Sequence, residues 1–141
     1  LSLVPSLRGG PWVLWDDLAT GIRKTTELGF SAIELFTDGP SAGDPGELTS
    51  LLQENNLQLG AVGTGAGKVI TGLTLHDPDP TIRHDARTFV GEMIEFGAEH
   101  GAPAIIGSMQ GSSNDSANRD DCLGWLGEAL EDRPNTQLLH P

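Results

Sequence analysis

Ser31-Ala-Ile-Glu-Leu-Phe36 runs directly into Thr37-Asp-Gly-Pro40. A short apolar run bounded by turn residues reads as a strand that stops at a polar loop. The same pattern recurs at Leu57–Val62, Ala102–Gly107 and Thr136–Leu139, and Leu1–Val4 opens the chain in like manner. Helical stretches separate these runs. Repeated strand–loop–helix order predicts a parallel α/β sheet. In such sheets the chemistry gathers at the C-terminal ends of the strands.

The intervening helices carry their own punctuation. Asp16 or Asp17 is placed to cap a first helix, with Leu18, Ile22, Thr25 and Leu28 near one face and Gly29 to stop it. A second helix spans about Gly46 to Glu54, with Leu48, Leu51 and Leu52 inward and Asn55–Asn56 at its end. The third is the clearest: Asp79 caps it and Pro80 suits its first position. Ile82, Ala86, Phe89, Val90, Met93, Ile94 and Gly97 form its apolar stripe, and Gly101 ends it. A fourth covers Arg119–Glu131, with Cys122, Leu123, Leu126, Ala129 and Leu130 on its apolar side and Trp125 beside them. Gly63 to Pro78 reads as one long Gly-rich loop. No linker divides the chain.

Composition narrows the function. A chain of 141 residues is about one ordinary domain and is shorter than the roughly 250 residues of a full (β/α)8 barrel. The net charge of −12 argues against nucleic acid as a partner, because phosphates need a basic surface. It also disfavours anionic membranes, and no run approaches the roughly 20 apolar residues of a span. Cys122 is the single cysteine, so an internal disulfide is excluded and a reducing cytoplasm fits best.

Several motifs invite chemistry. Gly60-Ala-Val-Gly-Thr-Gly-Ala-Gly-Lys68 looks like a phosphate loop, but Val69 stands where Mg²⁺ would need Ser or Thr, and no helix is expected to open at Lys68. A loop over the sheet edge is the better reading, with Lys68 in reach of an anionic group. Asp77-Pro-Asp79 suggests a metal, but a turn and a helix cap explain it. His84 is expected on the exposed side of the third helix. His76, in the loop before the cap, is a candidate to face the site. Gly107-Ser-Met-Gln-Gly-Ser-Ser113 follows the fourth strand, and there Ser108 and Gln110 offer hydrogen bonds at the active edge. Glu34 is a carboxylate inside an apolar strand, which is costly if buried without a donor; it is read as anchored by a neighbour or else as an acid of the site. Trp12, Trp15 and Trp125 read as packing residues.

Three segments together resemble the xylose isomerase-like TIM barrel superfamily. They are Leu28-Gly-Phe-Ser-Ala-Ile-Glu-Leu-Phe36, Asp79-Pro-Thr-Ile-Arg-His-Asp-Ala86 and Gly101-Ala-Pro-Ala-Ile-Ile-Gly-Ser-Met-Gln-Gly111. The likeness is to sugar phosphate isomerases/epimerases and hydroxypyruvate isomerase-like proteins, with the order of elements agreeing from Leu1 to about Leu130. It implies a partial (β/α)8 barrel of about four and a half βα units, with residues 1–141 as a truncated N-terminal portion.

The resemblance also implies an activity. The full-length parent would be a metal-dependent sugar or sugar-phosphate isomerase/epimerase working by enediolate proton transfer, with this chain inactive alone. Phe36, Thr64, Ser108 and Gln110 would bind the substrate. A divalent ion (Mn, Mg, Co or Zn) would be held only in part by this chain. In the family a metal-binding Glu ends the fifth strand; Leu138-Leu-His-Pro141 occupies that place, so His140 is the candidate ligand. A half barrel leaves strand edges exposed, so pairing of two copies is expected to cover them. Two other readings stand beside this one: a small flavodoxin-like open-sheet binding domain, and a non-catalytic interaction protein.

Overall fold

The computed structural model describes residues 1–5, 13–112 and 118–131. The strand expected at Thr136–Leu139, the candidate ligand His140 and Trp12 lie outside the described residues.

Helix α1 (Leu18–Glu27) begins where Asp17 accepts the Thr20 amide at 2.9 Å. Leu18, Gly21, Ile22 and Thr25 are buried. Leu28, expected on the same face, is 68% exposed because it is the C-cap, past the packed turn, and Gly29 then reverses the chain at φ +82°. Hydrogen bonds from Thr20, its amide first and then its side chain, hold the Asp17 carboxyl below its ordinary value. A lowered carboxylate contributes stability that is complete above the unfolded value, about pH 3.9, and is lost as pH falls through the folded one. Asp17→Ala is therefore expected to lower the urea midpoint at neutral pH, with the gap to the parent closing on acidification. A gap unchanged down to about pH 2 would contradict this.

Strand β1 (Ala32–Phe36) follows, then α2 (Pro45–Glu54), capped by Asp44 through the Gly46 amide at 2.8 Å. Leu48 and Leu52 are buried, and Asn56 takes the left-handed conformation at φ +51°. Strand β2 (Gln58–Gly63) comes next. The Gly-rich stretch after it is not all loop: it contains a short helix, α3 (Ala66–Thr71). Tertiary packing overrides poor helix propensity there. A Cβ at Gly67 would meet the Met109 sulfur at 2.7 Å and the Phe89 ring at 2.9 Å, so glycine is the residue that lets this turn seat.

Helix α4 (Pro80–Glu99) starts at Asp79, which accepts the Thr81 amide at 2.8 Å, and carries Ala86, Val90, Met93, Phe96 and Gly97 into the core. His84 is exposed. Strand β3 is only Ala104–Ile105, shorter than the expected Ala102–Gly107. Pro103 has no N–H to offer the ladder, and at Ile106 the backbone turns helical into a 3₁₀ turn, Gly107–Gln110. Helix α5 (Arg119–Glu131) has the expected bounds. Cys122 is buried, but Leu123 is 52% exposed. Trp125 packs under the Arg83 guanidinium, 4.3 Å from the ring centre.

The sheet runs β1-β2-β3 and every pair is parallel. The register slips by one residue at Gly60: Ile33 faces Leu59, but Glu34 faces Ala61. The Leu1–Val4 run contributes a parallel bridge, Ser2 to Phe36, rather than a full strand. Phe36 donates its amide to Leu1 and accepts from Leu3, both at 2.9 Å, while Ser2 donates outward to Leu14 at 3.0 Å.

Helices cover one side of this sheet. Ile33 and Leu35 of β1 and Leu59 and Val62 of β2 share a core with Ile22 of α1, Leu48 of α2 and Met93 of α4. Their neighbours Ala32, Glu34 and Gly60 are exposed. Consecutive strands lying side by side, with helices on a single face, is the winding of an α/β barrel rather than of a doubly wound sheet, whose strand order reverses. The chain is a partial TIM-barrel fold. Glu34 therefore meets no burial cost: it lies on the face away from the helices.

Candidate functional site

Parallel strands deliver their C-terminal ends to one rim, and there Phe36, Thr64 and the Gly107–Gln110 turn come together. Phe36 is buried, its ring laid over β2. A Cβ at Gly63 would lie 3.0 Å from that ring, and one at Gly65 would lie 3.2 Å from it and 2.9 Å from the Ser108 hydroxyl. The two glycines thus bring Phe36, Ser108 and the backbone of β2 into one patch. Read as a phosphate loop, these glycines make no sense; read as spaces for a phenyl ring, a hydroxyl and the Met109 sulfur, they do.

Thr64 is fully buried, and its hydroxyl is directed at the carbonyls of Ile105 at 2.9 Å and Ile106 at 2.8 Å. With the Thr64 amide donating to Ile105 at 3.1 Å, it ties the end of β2 to the end of β3. Thr37 is its counterpart on β1, buried, with its hydroxyl donated to Gly39 at 2.7 Å. Threonine gave no motif at either position; an alternation of apolar strand and first loop residue was the only available signal. Ser108 and Gln110 are exposed on the rim, with Ser108 Oγ 3.5 Å from the Gly65 carbonyl. Lys68, half-buried on α3, stands on the same side of the sheet end.

His76 is the unusual member. It is only 6% exposed, and among the described residues neither ring nitrogen has a hydrogen-bond partner. A buried polar atom left unsatisfied costs about 1–3 kcal/mol. The preceding residue, Leu75, donates its amide to Met109 at 2.8 Å, which fixes the loop against the 3₁₀ turn. The Nε2 edge of the ring lies where a Cβ on Gly111 would stand, so the imidazole rests on the backbone that ends that turn.

Asp77 and Asp79 serve the backbone, as the local sequence suggests: Asp77 accepts the Asp79 amide at 2.9 Å, and Asp79 caps α4. Among the described residues no three of His, Cys, Asp or Glu come together to hold a metal ion. The described part of the chain therefore does not fit a complete metal centre. No helix among the described residues is long and apolar enough to cross a membrane.

A family model for the xylose isomerase-like TIM barrel matches residues 22–132. Among solved structures, the chain is similar to D-psicose 3-epimerase from Clostridium cellulolyticum H10, crystallised with D-tagatose. The TM-score is 0.62 and the identity 19%, over 83% of this chain and 42% of that one. This chain thus spans less than half the length of that epimerase. At such identity the likeness is one of fold. No curated protein matches the sequence.

Proposed function

The chain belongs to the xylose isomerase-like TIM barrel family, and from that premise we propose that it forms the N-terminal portion of a sugar or sugar-phosphate isomerase/epimerase. The observation that carries this reading is the single rim. Sequential parallel strands bring the buried Phe36 and Thr64 beneath the exposed Ser108 and Gln110 at one sheet edge. Hydroxyl and amide groups over an aromatic floor suit a small polyhydroxylated ligand. Ser108 and Gln110 would bond the sugar, Phe36 would support it from below, and Thr64 would hold the two strand ends in register.

The reaction class is transfer of a proton next to a carbonyl, through an enediolate. The described residues supply binding and orientation. The divalent ion of such enzymes finds no full ligand set among them. His140 remains proposed as one ligand.

Two measurements on the purified chain test the reading. Addition of D-tagatose or D-fructose 6-phosphate is expected to shift the backbone amide signals of Ser108 and Gln110 saturably. Incubation in D₂O with Mn²⁺ is expected to leave the sugar's carbon-bound protons in place, because the chain alone is inactive. Absence of any saturable rim shift would end the sugar-site reading. Metal-dependent exchange or epimerisation by the 141-residue chain would overturn its inactivity.

A further inference from the structure

We infer that Glu34 contacts the ligand at the rim and fits the site to an unphosphorylated sugar, whose neighbouring hydroxyls its carboxylate accepts; this rests on the sugar-site reading above. Among the described strand residues, Glu34 alone has an ionisable side chain. It is exposed on the sheet face away from the helices, which is the inner wall of an α/β barrel. Register places Glu34 beside Ala61, and Phe36 beside Gly63 at the strand ends. Yet Glu34 Oε1 lies 3.8 Å from where a Cβ on Gly63 would stand, so the side chain climbs one layer, to the level of the rim. The Phe36 ring meets the same vacant position with its Cδ2 at 3.0 Å. The adjoining Cε2 lies 3.2 Å from the Cβ position of Gly65, which is 2.9 Å from the Ser108 hydroxyl. The carboxylate and that hydroxyl are thus brought toward one edge of a single phenyl ring. The ring is buried and fixes their spacing, while Glu34 and Ser108 are exposed.

The chemistry of the carboxylate selects the ligand. Among the described residues no side chain bonds its oxygens. The Leu1 ammonium, within electrostatic reach, donates to the Glu34 carbonyl instead, at 2.7 Å. An ionised carboxylate only accepts, through about four lone-pair sites on its two oxygens, and the bonds it takes from hydroxyls are charge-assisted. Two neighbouring hydroxyls of a ketose can donate to it together. A phosphate group is itself anionic and rich in acceptors, so the carboxylate repels it. Lys68 on α3 is the opposing charge on this side of the sheet end, and comparing a sugar with its own phosphate decides between the two. A divalent ion would require further ligands, and no three of His, Cys, Asp or Glu gather among the described residues.

The test uses a matched pair, D-fructose and D-fructose 6-phosphate, titrated into the whole 141-residue chain and followed by NMR of carboxyl-labelled glutamate. D-fructose is expected to shift the Glu34 carboxyl signal saturably, in step with the Gln110 amide. Glu54, exposed on α2, should stay still. D-fructose should bind at least tenfold more tightly than its phosphate. Glu34→Gln, which keeps the shape and removes the charge, should weaken D-fructose threefold or more and tighten D-fructose 6-phosphate. Opposite signs for the two ligands mark direct contact. A merely structural role would weaken both alike, and that result overturns the inference. Should the Gln110 amide respond to D-fructose while the Glu34 carboxyl does not, the inference falls and the sugar site stands. Should the phosphate bind as tightly as D-fructose, or tighter, the inference falls as well. If no rim signal responds to either ligand, the site reading fails first and takes this one with it. The native-chain titration decides the matter even if Glu34→Gln does not fold.

Discussion

Replacing Leu35 with alanine is expected to cost about 2–5 kcal/mol of folding stability. Leu35 is fully buried in β1, where it joins the core shared with α1, α2 and α4. Removing its branched end takes away apolar contacts and leaves a cavity that a close-packed interior only partly collapses around. A domain of this size has about 5–15 kcal/mol in total, so the loss threatens folding itself. Urea titration should show a lower midpoint with an unchanged slope. The neighbouring substitution supplies the control. Glu34 is exposed on the opposite face of the same strand, and Glu34→Ala should move stability by no more than about 0.5 kcal/mol. Equal losses at the two positions would mean that the helices do not all lie on one side of the sheet.

Gly97→Ala is the second large effect, and its sign runs against helix propensity. Within a helix, alanine is ordinarily better than glycine by about 1 kcal/mol. At Gly97, however, a Cβ would lie 2.6 Å from the carbonyl oxygen of Ala102. That carbonyl cannot easily yield, since the Ala102 amide is itself donated to the Gly97 carbonyl at 2.8 Å. The end of α4 and the connection leading into β3 are thus clamped backbone to backbone. Overpacking there should outweigh propensity and leave the variant less stable by about 1–3 kcal/mol. Gly124 in α5 has nothing within 4 Å of its would-be Cβ, so Gly124→Ala should stabilise instead, by up to about 1 kcal/mol. Paired thermal melts give the two signs directly, and a stabilised Gly97→Ala would disprove the clamp.

The fold was largely legible because its signals are local. Asp17 and Asp79 mark helix starts through side-chain chemistry that needs no tertiary context, and Gly29 and Gly101 mark ends through positive φ. What could not be read locally depends on distant atoms. Gly67 is a poor helix former, and only Met109 and Phe89 explain why a helix forms around it. The exposure of Glu34 depends on which face the helices choose, which alternation alone does not specify. The site was legible by position, since strand ends can be counted along the chain. The split between buried Thr64 and exposed Ser108 was not, because it turns on which carbonyls the threonine hydroxyl can reach. The orphaned state of His76 is likewise a property of its surroundings. Trp125 packs as its surrounding pattern suggests, with a cation, the Arg83 guanidinium, above its ring.

The contact of Gly67 with Met109 and Phe89 has a bearing on how such a chain can drift over generations. Three residues far apart in the sequence occupy one shared volume, so none can change size independently. A descendant that enlarges position 67 must trim 109 or 89 in compensation, or else unseat the short helix and the rim turn together. Among related sequences, bulk at these three places should trade back and forth, and that covariation would leave an inherited record of how the two loops are joined.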